Sequence, residues 1–589
     1  MSGALPDMLS FGSWLTSRYF CVALEGILAL LLLALAFTVP SVGRQWFDFA
    51  ERVLRRIARR PWRATLVVIF VAAAGRAVLL AWIPVPRPWM HDEFSYLLAG
   101  ETYAAARITN KPSPMWRHFE SIHILQQPTY MSMYPPAQGL FLALGQRLAG
   151  QPWIGVLISA AAMSGAICWM LQGWLPTRWA LIGGLLTAVR WGFFSYWVNS
   201  YWGGAVPAFG GALVAGSLPR LLRRSRIRDS VTLGLGLAVL ANSRPYEGLI
   251  FSAAAVLAFL VWTVKHNLLR RVTKPSIVTA LGVVLGITAA GMLYCNWRVT
   301  GAALKLPYMA DREQYAIAPM FLWGGLRPEP TYRTASLRRV YEAEVELYKR
   351  DRSAAGLPEI FRKLKDFWIF YFGPLLTIPI AALLWRPQLI KNRRTQYFLF
   401  ILAVITGALL VEVWFYPHYA APATAIIIAL ILQGMRRLRD WQWKGRQTGL
   451  FLARAIPSAC LLLGLIPVTA AALGLELSYW PLQWYGGSPD VVQPASLTAP
   501  VTRDHKRALI FVRYTPTHDV GEEWVYNAAD IDNAPVVWAR ELGRSQDAAL
   551  IRYFPHRTVW LFEPDRRPWT LRPYTPRSEP QRPASRAPR

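Results

Sequence analysis

The chain has 589 residues, of which 54% are hydrophobic and 17% charged, and 64 Lys and Arg against 34 Asp and Glu give a formal net charge of +30. A soluble nucleic-acid binder can carry such a charge, but it does not combine it with 27 Trp and a mean hydropathy of +0.25. The composition therefore argues against a nucleic-acid partner. It indicates a membrane protein whose positive charge is concentrated in particular segments.

The apolar runs predict a mainly α, polytopic bundle of about 12 to 14 membrane spans. Seven runs have full membrane length: 20–40, 64–84, 153–173, 276–296, 367–385, 397–415 and 455–476. Seven shorter runs fit short spans, re-entrant segments or interfacial segments, so the count is a range: 134–149, 179–189, 191–202, 205–219, 230–243, 249–263 and 420–434.

Basic segments between these runs predict the topology. Five of them hold 26 Lys and Arg and only three acids: 44–63, 220–228, 264–275, 386–396 and 435–454. Because positively charged loops stay in the cytoplasm, all five are expected there, in a multi-pass protein of the plasma (inner) membrane. The intervening segments then face the periplasm or exterior: 85–133, 297–366, the turns near 243–248 and 417–422, and 477–589.

The same pattern divides the chain into four parts. Residues 1–63 form an extra first span and a basic linker, and 64–476 form the transmembrane core. Short buried strands at 508–513, 535–538 and 558–562 with a helix at 546–554 predict a small external α/β unit over 477–563. The Pro/Arg-rich tail 564–589 is predicted to be disordered. No basic region precedes the first apolar run, so an uncleaved span is favoured over a signal peptide.

The first external loop, 85–133, carries the strongest catalytic candidates. Asp92 and Glu93 follow an outward span and begin an apolar run at helical spacing, which predicts an amphipathic helix on the membrane surface. Acids do not help such a helix to bind lipid, so a chemical role is favoured. Four neighbours in this loop and the residue that begins the next span are candidates for contacts with substrate or phosphate: His91, Arg117, His118, Glu120 and Tyr134.

Three further external turns bring polar groups to the same membrane depth. They supply the remaining candidate binding residues: Trp202, Arg244, Tyr246, Glu247, His418 and Tyr419. Structural alternatives stay open, since Arg244 and Glu247 also fit an ion pair that closes a helical hairpin. The acids of a predicted helix at 335–351 fit a solvated face, and the stretch 305–324 fits a flap over a site.

Together these groups suit one reaction. A carboxylate can deprotonate an acceptor hydroxyl that attacks an anomeric carbon, while cations stabilise a departing lipid phosphate. No P-loop or dinucleotide fingerprint is present, so a nucleotide-driven machine is not expected. No cofactor is predicted, and two adjacent acids are too few to indicate a divalent metal.

The acidic pair after an outward span, the amphipathic loop and the Tyr134-Pro135-Pro136 start of the next span resemble the GT-C superfamily of polyprenyl-phosphate-dependent glycosyltransferases. Protein O-mannosyltransferases and the lipid A aminoarabinose transferase are members, and the resemblance covers roughly 64–476. It implies transfer of a hexosyl or pentosyl group from a polyprenyl-phosphate donor to a lipid, glycan or protein acceptor. Asp92 or Glu93 corresponds to the family's external acidic residue.

One departure from the family concerns the donor phosphate. Tyr134 stands where members typically have a phosphate-contacting Lys, and Arg244, Arg117 and His418 are the substitutes that the sequence offers.

A transporter or lipid-linked sugar flippase is the alternative function. Arg76 and Glu412, near the interiors of predicted spans, favour it, whereas the lack of an internal repeat does not. A non-catalytic scaffold that uses the external α/β unit is a third possibility.

Overall fold

The computed structural model describes residues 20–353, 356–385, 392–473, 495–503 and 507–575. Up to residue 352 its helices are α1 (Phe20–Thr38), α2 (Arg44–Ala58), α3 (Pro61–Val78), α4 (His91–Ala104), α5 (Pro136–Ala149), α6 (Pro152–Gln172), α7 (Thr177–Thr187), α8 (Ala205–Arg224), α9 (Ile227–Ala241), α10 (Pro245–Lys265), α11 (Leu269–Val272), α12 (Pro275–Thr300), α13 (Pro307–Tyr315) and α14 (Ala335–Arg352). They are followed by α15 (Gly356–Tyr371), α16 (Gly373–Leu384), α17 (Arg393–Leu410), α18 (Thr424–Arg439), α19 (Thr448–Ala472), α20 (Ala495–Thr498) and α21 (Arg544–Tyr553).

The strands are few and short. They are β1 (Ile124–Leu125), β2 (Met131–Ser132), β3 (Ala508–Val512), β4 (Val536–Arg540), β5 (Thr558–Phe562) and β6 (Leu571–Pro573). The prediction of a mainly α polytopic bundle with a small α/β unit is confirmed.

Nine helices in the described part of the chain are long and apolar enough to span a membrane, and the bent pair α15 and α16 makes a tenth if it is counted as one span. Two shorter helices, α7 and α9, also run between the two ends of the bundle. With them the count is twelve, at the lower end of the predicted 12 to 14.

The predicted span 367–385 is not one continuous helix. It includes the end of α15 and all of α16, two helices whose axes differ by 95°. Gly373 makes the break possible because its φ is +57°, and a Cβ there would lie 2.6 Å from the Glu25 carboxylate. Glu25 also accepts a hydrogen bond from the Leu375 N–H at 3.2 Å, so α1 fixes the start of α16.

Two of the short runs for which the sequence left a span, a re-entrant segment or an interfacial segment open, 134–149 and 191–202, are not among the helices long enough to span a membrane. Helix α5 packs on the external helix α4, and both ends of α5 lie near the loop that follows Phe193. At its start, the Gln138 amide donates a hydrogen bond to the Tyr201 carbonyl at 3.0 Å. Just after its end, the Trp153 indole donates a hydrogen bond to the Val198 carbonyl at 2.8 Å. Three passes therefore connect residue 136 to residue 224. This number is odd, as the charge pattern requires.

The basic segments gather at one end of the bundle. Glu51 in the first segment binds Arg439 at 2.6 Å and Arg454 at 3.0 Å in the last one, and Arg393 contacts His266 at 2.7 Å. The segments predicted to be external gather at the other end, where they build the site described below. The grouping agrees with the topology inferred from charge.

The C-terminal unit has a four-stranded sheet in the order β4-β3-β5-β6. The first three strands are parallel, and β6 pairs antiparallel with β5 through Phe562 and Leu571. The predicted disordered tail is therefore wrong for 564–575, because β6 completes the sheet there. Residues 576–589 and the start of the predicted unit, 477–494, lie outside the described residues.

Candidate active site

A cavity of about 460 Å³ opens at the end of the bundle that carries the predicted external segments. Helix α4, the β2–α5 connection, the start of α10, helices α13 and α14, and the turn after α17 all contribute to its wall. Eight of the predicted site residues line it: His91, Asp92, Tyr134, Trp202, Arg244, Tyr246, Glu247 and Tyr419. Sequence elements more than 300 residues apart thus meet in one place.

Asp92 lies in the first turn of α4, where the helix dipole favours an acid. Its Oδ1 accepts a short hydrogen bond from the Tyr134 hydroxyl and lies 3.7 Å from Nδ1 of His123. The Asp92 side chain remains 18% exposed. A carboxylate that is oriented by two neighbours and open to a cavity has the arrangement of a general base.

Tyr134 is held as firmly as Asp92. Its ring stacks on Tyr96 with centroids 4.4 Å apart, and its backbone N–H donates to the Ser132 hydroxyl at 3.1 Å. Pro136 then begins α5 at the first helical position, where its missing N–H costs nothing. The Tyr-Pro-Pro motif therefore positions a phenol, not a cation, beside the acid.

Glu93 has a different environment from its neighbour. It is fully buried and does not line the cavity. Its carboxylate accepts hydrogen bonds from the N–H groups of Trp89, Met90 and Tyr201 at 2.9 to 3.1 Å. Burial outweighs these bonds and raises the pKa of Glu93 to about 7. Its contacts are those of a positioning residue that joins the start of α4 to the loop after Phe193.

Arg244 is the predicted cation that reaches the cavity. It precedes α10, its guanidinium lies 4.4 Å above the Tyr419 ring, and it pairs with Glu247 at 3.4 Å. The hairpin-closing ion pair and the binding role are therefore compatible, because the same pair lines the cavity. Trp202 and Tyr416 pack beside it with ring centroids 4.9 Å apart.

The second external loop supplies residues that were not among the predicted site residues, although three of them lie in the stretch 305–324 that fitted a flap over a site. In α13, Tyr308, Asp311 and Arg312 line the cavity, and Arg312 pairs with Glu344 of α14 at 2.8 Å. Glu344 was assigned to a solvated face, but it is buried and also accepts from the Trp414 indole at 2.7 Å. The four-residue spacing of Tyr308 and Arg312 on one helix was the available signal.

The cavity wall carries more acids than bases. Five carboxylates face two arginines: Asp92, Glu247, Asp311, Glu344 and Glu412 against Arg244 and Arg312. Burial raises the pKa of Asp311 to about 7 and that of Glu412 well above its ordinary value, with Glu247 adding to the latter shift. No group of three potential metal ligands occurs within the described residues. Burial thus favours the neutral form of the Asp311 and Glu412 carboxyl groups, in which they can donate hydrogen bonds.

Two histidines near Asp92 are held neutral. Burial lowers the pKa of His91 to about 4 and also lowers that of His123. Neither ring therefore supplies a positive charge at neutral pH. This leaves the two arginines as the cations of the cavity.

Besides Glu93, four predicted site residues lie outside the cavity. Arg117 is exposed, and His118 is buried beneath the C-terminal unit, where its Nδ1 lies 2.9 Å from the Arg540 carbonyl. Glu120 binds Tyr315 at 2.7 Å and Arg333 at 2.9 Å. His418 is buried behind Trp202 and contacts the Tyr196 hydroxyl at 2.9 Å.

The C-terminal unit touches the site directly. The Tyr526 hydroxyl lies 2.8 Å from Nδ1 of His91, and its ring stacks on Phe94 with centroids 4.0 Å apart. Glu101 accepts a hydrogen bond from the Ala529 N–H at 2.7 Å. The unit therefore packs along α4 and reaches the residue next to Asp92.

Comparisons with known proteins give structural similarity only. No protein-family model and no curated protein matches the sequence. The structure is similar to ArnT from Cupriavidus metallidurans in the apo state, with 11% identity, 85% of this chain and 93% of that chain covered, and a TM-score of 0.46. The same protein bound to undecaprenyl phosphate matches with 12% identity, 85% and 92% coverage, and a TM-score of 0.44.

The oligosaccharyltransferase of Archaeoglobus fulgidus is also similar, with 12% identity, 77% of this chain covered and a TM-score of 0.44. The match spans 62% of the archaeal protein, which is less than two thirds of its length. Both proteins are glycosyltransferases of the GT-C type, the family that the sequence motifs resemble. With TM-scores below 0.5, the functional assignment rests on the geometry of the cavity.

Proposed function

We propose that this protein is an integral membrane glycosyltransferase that moves a sugar from a polyprenyl-phosphate donor to an acceptor hydroxyl. One observation carries the proposal: Asp92 and Arg244, a general base and a phosphate-binding cation, line the same aromatic-walled cavity.

In the proposed reaction, Asp92 accepts the proton of the acceptor hydroxyl as its oxygen attacks the anomeric carbon. The bond from that carbon to the phosphate oxygen breaks, and both of its electrons leave with the lipid phosphate. Arg244 stabilises the departing phosphate, and Tyr134 keeps Asp92 oriented. The products are the glycosylated acceptor and polyprenyl phosphate.

The rest of the wall suits a lipid-linked sugar. Trp202, Tyr308, Tyr416 and Tyr419 offer ring faces for a sugar or an isoprenoid chain. The carboxyl groups of Asp311 and Glu412, whose neutral form is favoured by burial, can donate hydrogen bonds to hydroxyl or phosphate oxygens when protonated. We further propose that the cavity faces the periplasm or exterior of the plasma membrane, since the basic segments are at the opposite end.

The positions of Arg76 and Glu412, the two residues that favoured a transporter, do not support that alternative. Arg76 is fully buried and bound by the Asn199 side chain at 3.0 Å and by the Ile83 and Pro84 carbonyls, while its guanidinium stacks over Trp153. These contacts close the end of α3. Glu412 lies in the wall of the cavity and not in the middle of a span.

The test is release of undecaprenyl phosphate from a panel of undecaprenyl-phosphate-linked hexoses and pentoses, measured by mass spectrometry with the purified protein and a membrane extract as acceptor source. Asp92→Asn should lower the rate by about 10²–10⁴-fold, because the amide cannot accept the proton. Glu346→Gln, which removes an exposed acid from α14, is the matched control and should leave the rate unchanged.

Full activity of Asp92→Asn would contradict the assigned base. Movement of the intact donor across a liposome membrane without release of undecaprenyl phosphate would instead support a flippase.

A further inference from the structure

A second cavity lies at the opposite end of the bundle from the candidate active site. Helices α2 and α3 meet there at a turn formed by Arg59 and Arg60, and a groove of about 490 Å³ lies between them. Its lining combines two guanidinium groups with four apolar side chains: Arg56, Arg63, Ile57, Trp62, Leu66 and Val67.

One side of α2 faces away from the protein and is apolar. Trp46, Phe49 and Val53 are 78%, 57% and 39% exposed. They are spaced three and four residues apart, so they lie on one side of the helix. A short helix with aromatic side chains on one side and arginines on another lies in the membrane interface.

The acidic side of α2 is occupied by the protein. Asp48 pairs with Arg454 at 2.8 Å, and Glu51 pairs with Arg439 and Arg454. Although burial raises the pKa of Glu51, the arginine hydrogen bonds lower it to about 2. These contacts fix the rotation of α2, which leaves its apolar side toward lipid.

Helix α3 extends the groove along the membrane normal. Trp62, Leu66 and Phe70 are exposed and four residues apart, so they form one apolar track that leaves the groove toward the middle of the span. This track has the width of a single side-chain row. It suits an extended acyl chain lying against the helix.

The charges around the groove have no acidic partners. In the part of the chain that the structure describes, no carboxylate lies within 4.0 Å of the four guanidinium groups at the turn, which belong to Arg56, Arg59, Arg60 and Arg63. Four unpaired positive charges above an apolar track are complementary to a negatively charged headgroup with an attached hydrocarbon chain.

We propose that this groove binds an anionic phospholipid of the leaflet on this face, with its phosphate on Arg56 and Arg63 and one acyl chain along Leu66 and Phe70. The planar guanidinium fork matches the phosphate oxygens. A zwitterionic lipid carries its own ammonium group beside the phosphate and gains less from the unpaired arginines.

Native mass spectrometry of the full-length protein tests the proposal, with phosphatidylglycerol and phosphatidylcholine of identical chains as probes. Phosphatidylglycerol should bind more tightly. The double variant Arg56→Gln with Arg63→Gln should bind it about 30-fold more weakly, equivalent to about 2 kcal/mol for two arginines near the membrane surface. Phe70→Ala should also weaken binding, because it shortens the apolar track.

The control is Arg224→Gln with Arg226→Gln, which removes the same charge from another exposed basic segment on this face. Its affinity for phosphatidylglycerol should equal that of the unmodified protein. Equal losses in both double variants would overturn the proposal in favour of general charge attraction. Equal binding of the two lipids, or full competition by soluble glycerol 3-phosphate, would overturn it as well.

Discussion

The charged side chains at the two ends of the bundle differ in their burial and in the mixture of their signs. At the end with the candidate active site, acids and bases are mixed, buried and surrounded by aromatic rings, as with Arg244 between Glu247 and Tyr419. At the other end, charges of one sign are exposed, as with Arg56 and Arg63. Buried mixed charge costs desolvation energy and is kept where chemistry uses it, whereas exposed positive charge sets orientation and binds lipid.

Among variants that compare the two ends, Arg244→Gln should produce the largest effect. Loss of one preorganised donor to a departing anion typically lowers turnover by about 10²–10³-fold. Arg56→Gln, one arginine removed at the other end, should leave turnover within about twofold. Release of undecaprenyl phosphate measures both. Equal losses in the two variants would mean that the ends do not differ in the way described.

Glu93→Gln should affect stability more than chemistry. Because burial raises the pKa of Glu93 to about 7, the folded state binds more protons than the unfolded state between about pH 4.5 and pH 7. The contribution of Glu93 to stability is therefore full below about pH 4.5 and is lost as the pH rises through 7.

Thermal unfolding at pH 5 and pH 8 measures this effect. The unmodified protein should lose more stability on going to pH 8 than Glu93→Gln does, since the amide has no proton to lose. A steeper loss in the variant would show that Glu93 is charged and stabilising. Turnover of Glu93→Gln should fall less than that of Asp92→Asn.

Tyr526→Phe should have a smaller effect. It removes the hydrogen bond from the C-terminal unit to His91 but keeps the ring stacked on Phe94. A neutral hydrogen bond contributes about 1 kcal/mol, so we expect a change of up to about tenfold in kcat/KM. An effect on KM alone would indicate that the C-terminal unit helps to bind the acceptor. An unchanged kcat/KM would mean that the C-terminal unit does not contribute to the site through Tyr526.

Glu412→Gln should have the smallest effect at the cavity end. Burial raises the pKa of Glu412 well above its ordinary value and so favours the neutral form, which the amide resembles in shape and charge. Turnover should change by less than about threefold. Glu344→Gln is the informative partner, because it weakens the bonds to Arg312 and Trp414 and should cost more. A larger loss in Glu412→Gln would mean that Glu412 acts as an anion.

Local charge and hydropathy predicted the bundle and which segments meet at each end. The short runs could not be decided in this way, because 134–149 has the composition of a span but packs on α4 as an external helix. The bend at Gly373 depends on Glu25, 348 positions earlier, and no local pattern contains that contact. Three of the four strands of the C-terminal unit, β3, β4 and β5, were predicted because each is a short buried run between turns, whereas β6 lies in the Pro/Arg-rich stretch that was predicted to be disordered.

The candidate site was predicted in part. The predicted membrane depth correctly indicated that Asp92, Arg244 and Tyr419 lie close together, because residues at the external ends of spans lie at the same depth. The predicted depth could not distinguish the environments of Asp92 and Glu93, because the two side chains are at the same depth and point in different directions around the axis of α4. Depth did not place Arg312 and Glu344 in the site, because they lie in a long loop; the stretch 305–324 around Arg312 was predicted only as a possible flap over a site.

The most direct measurement is an electron cryomicroscopy structure of the protein with undecaprenyl phosphate. The account predicts a phosphate within hydrogen-bond distance of the Arg244 guanidinium, about 3 Å, with the isoprenoid chain leaving between the aromatic rings and Asp92 open to the space beyond the phosphate. A phosphate bound elsewhere, with the cavity between α4 and α13 empty, would contradict it.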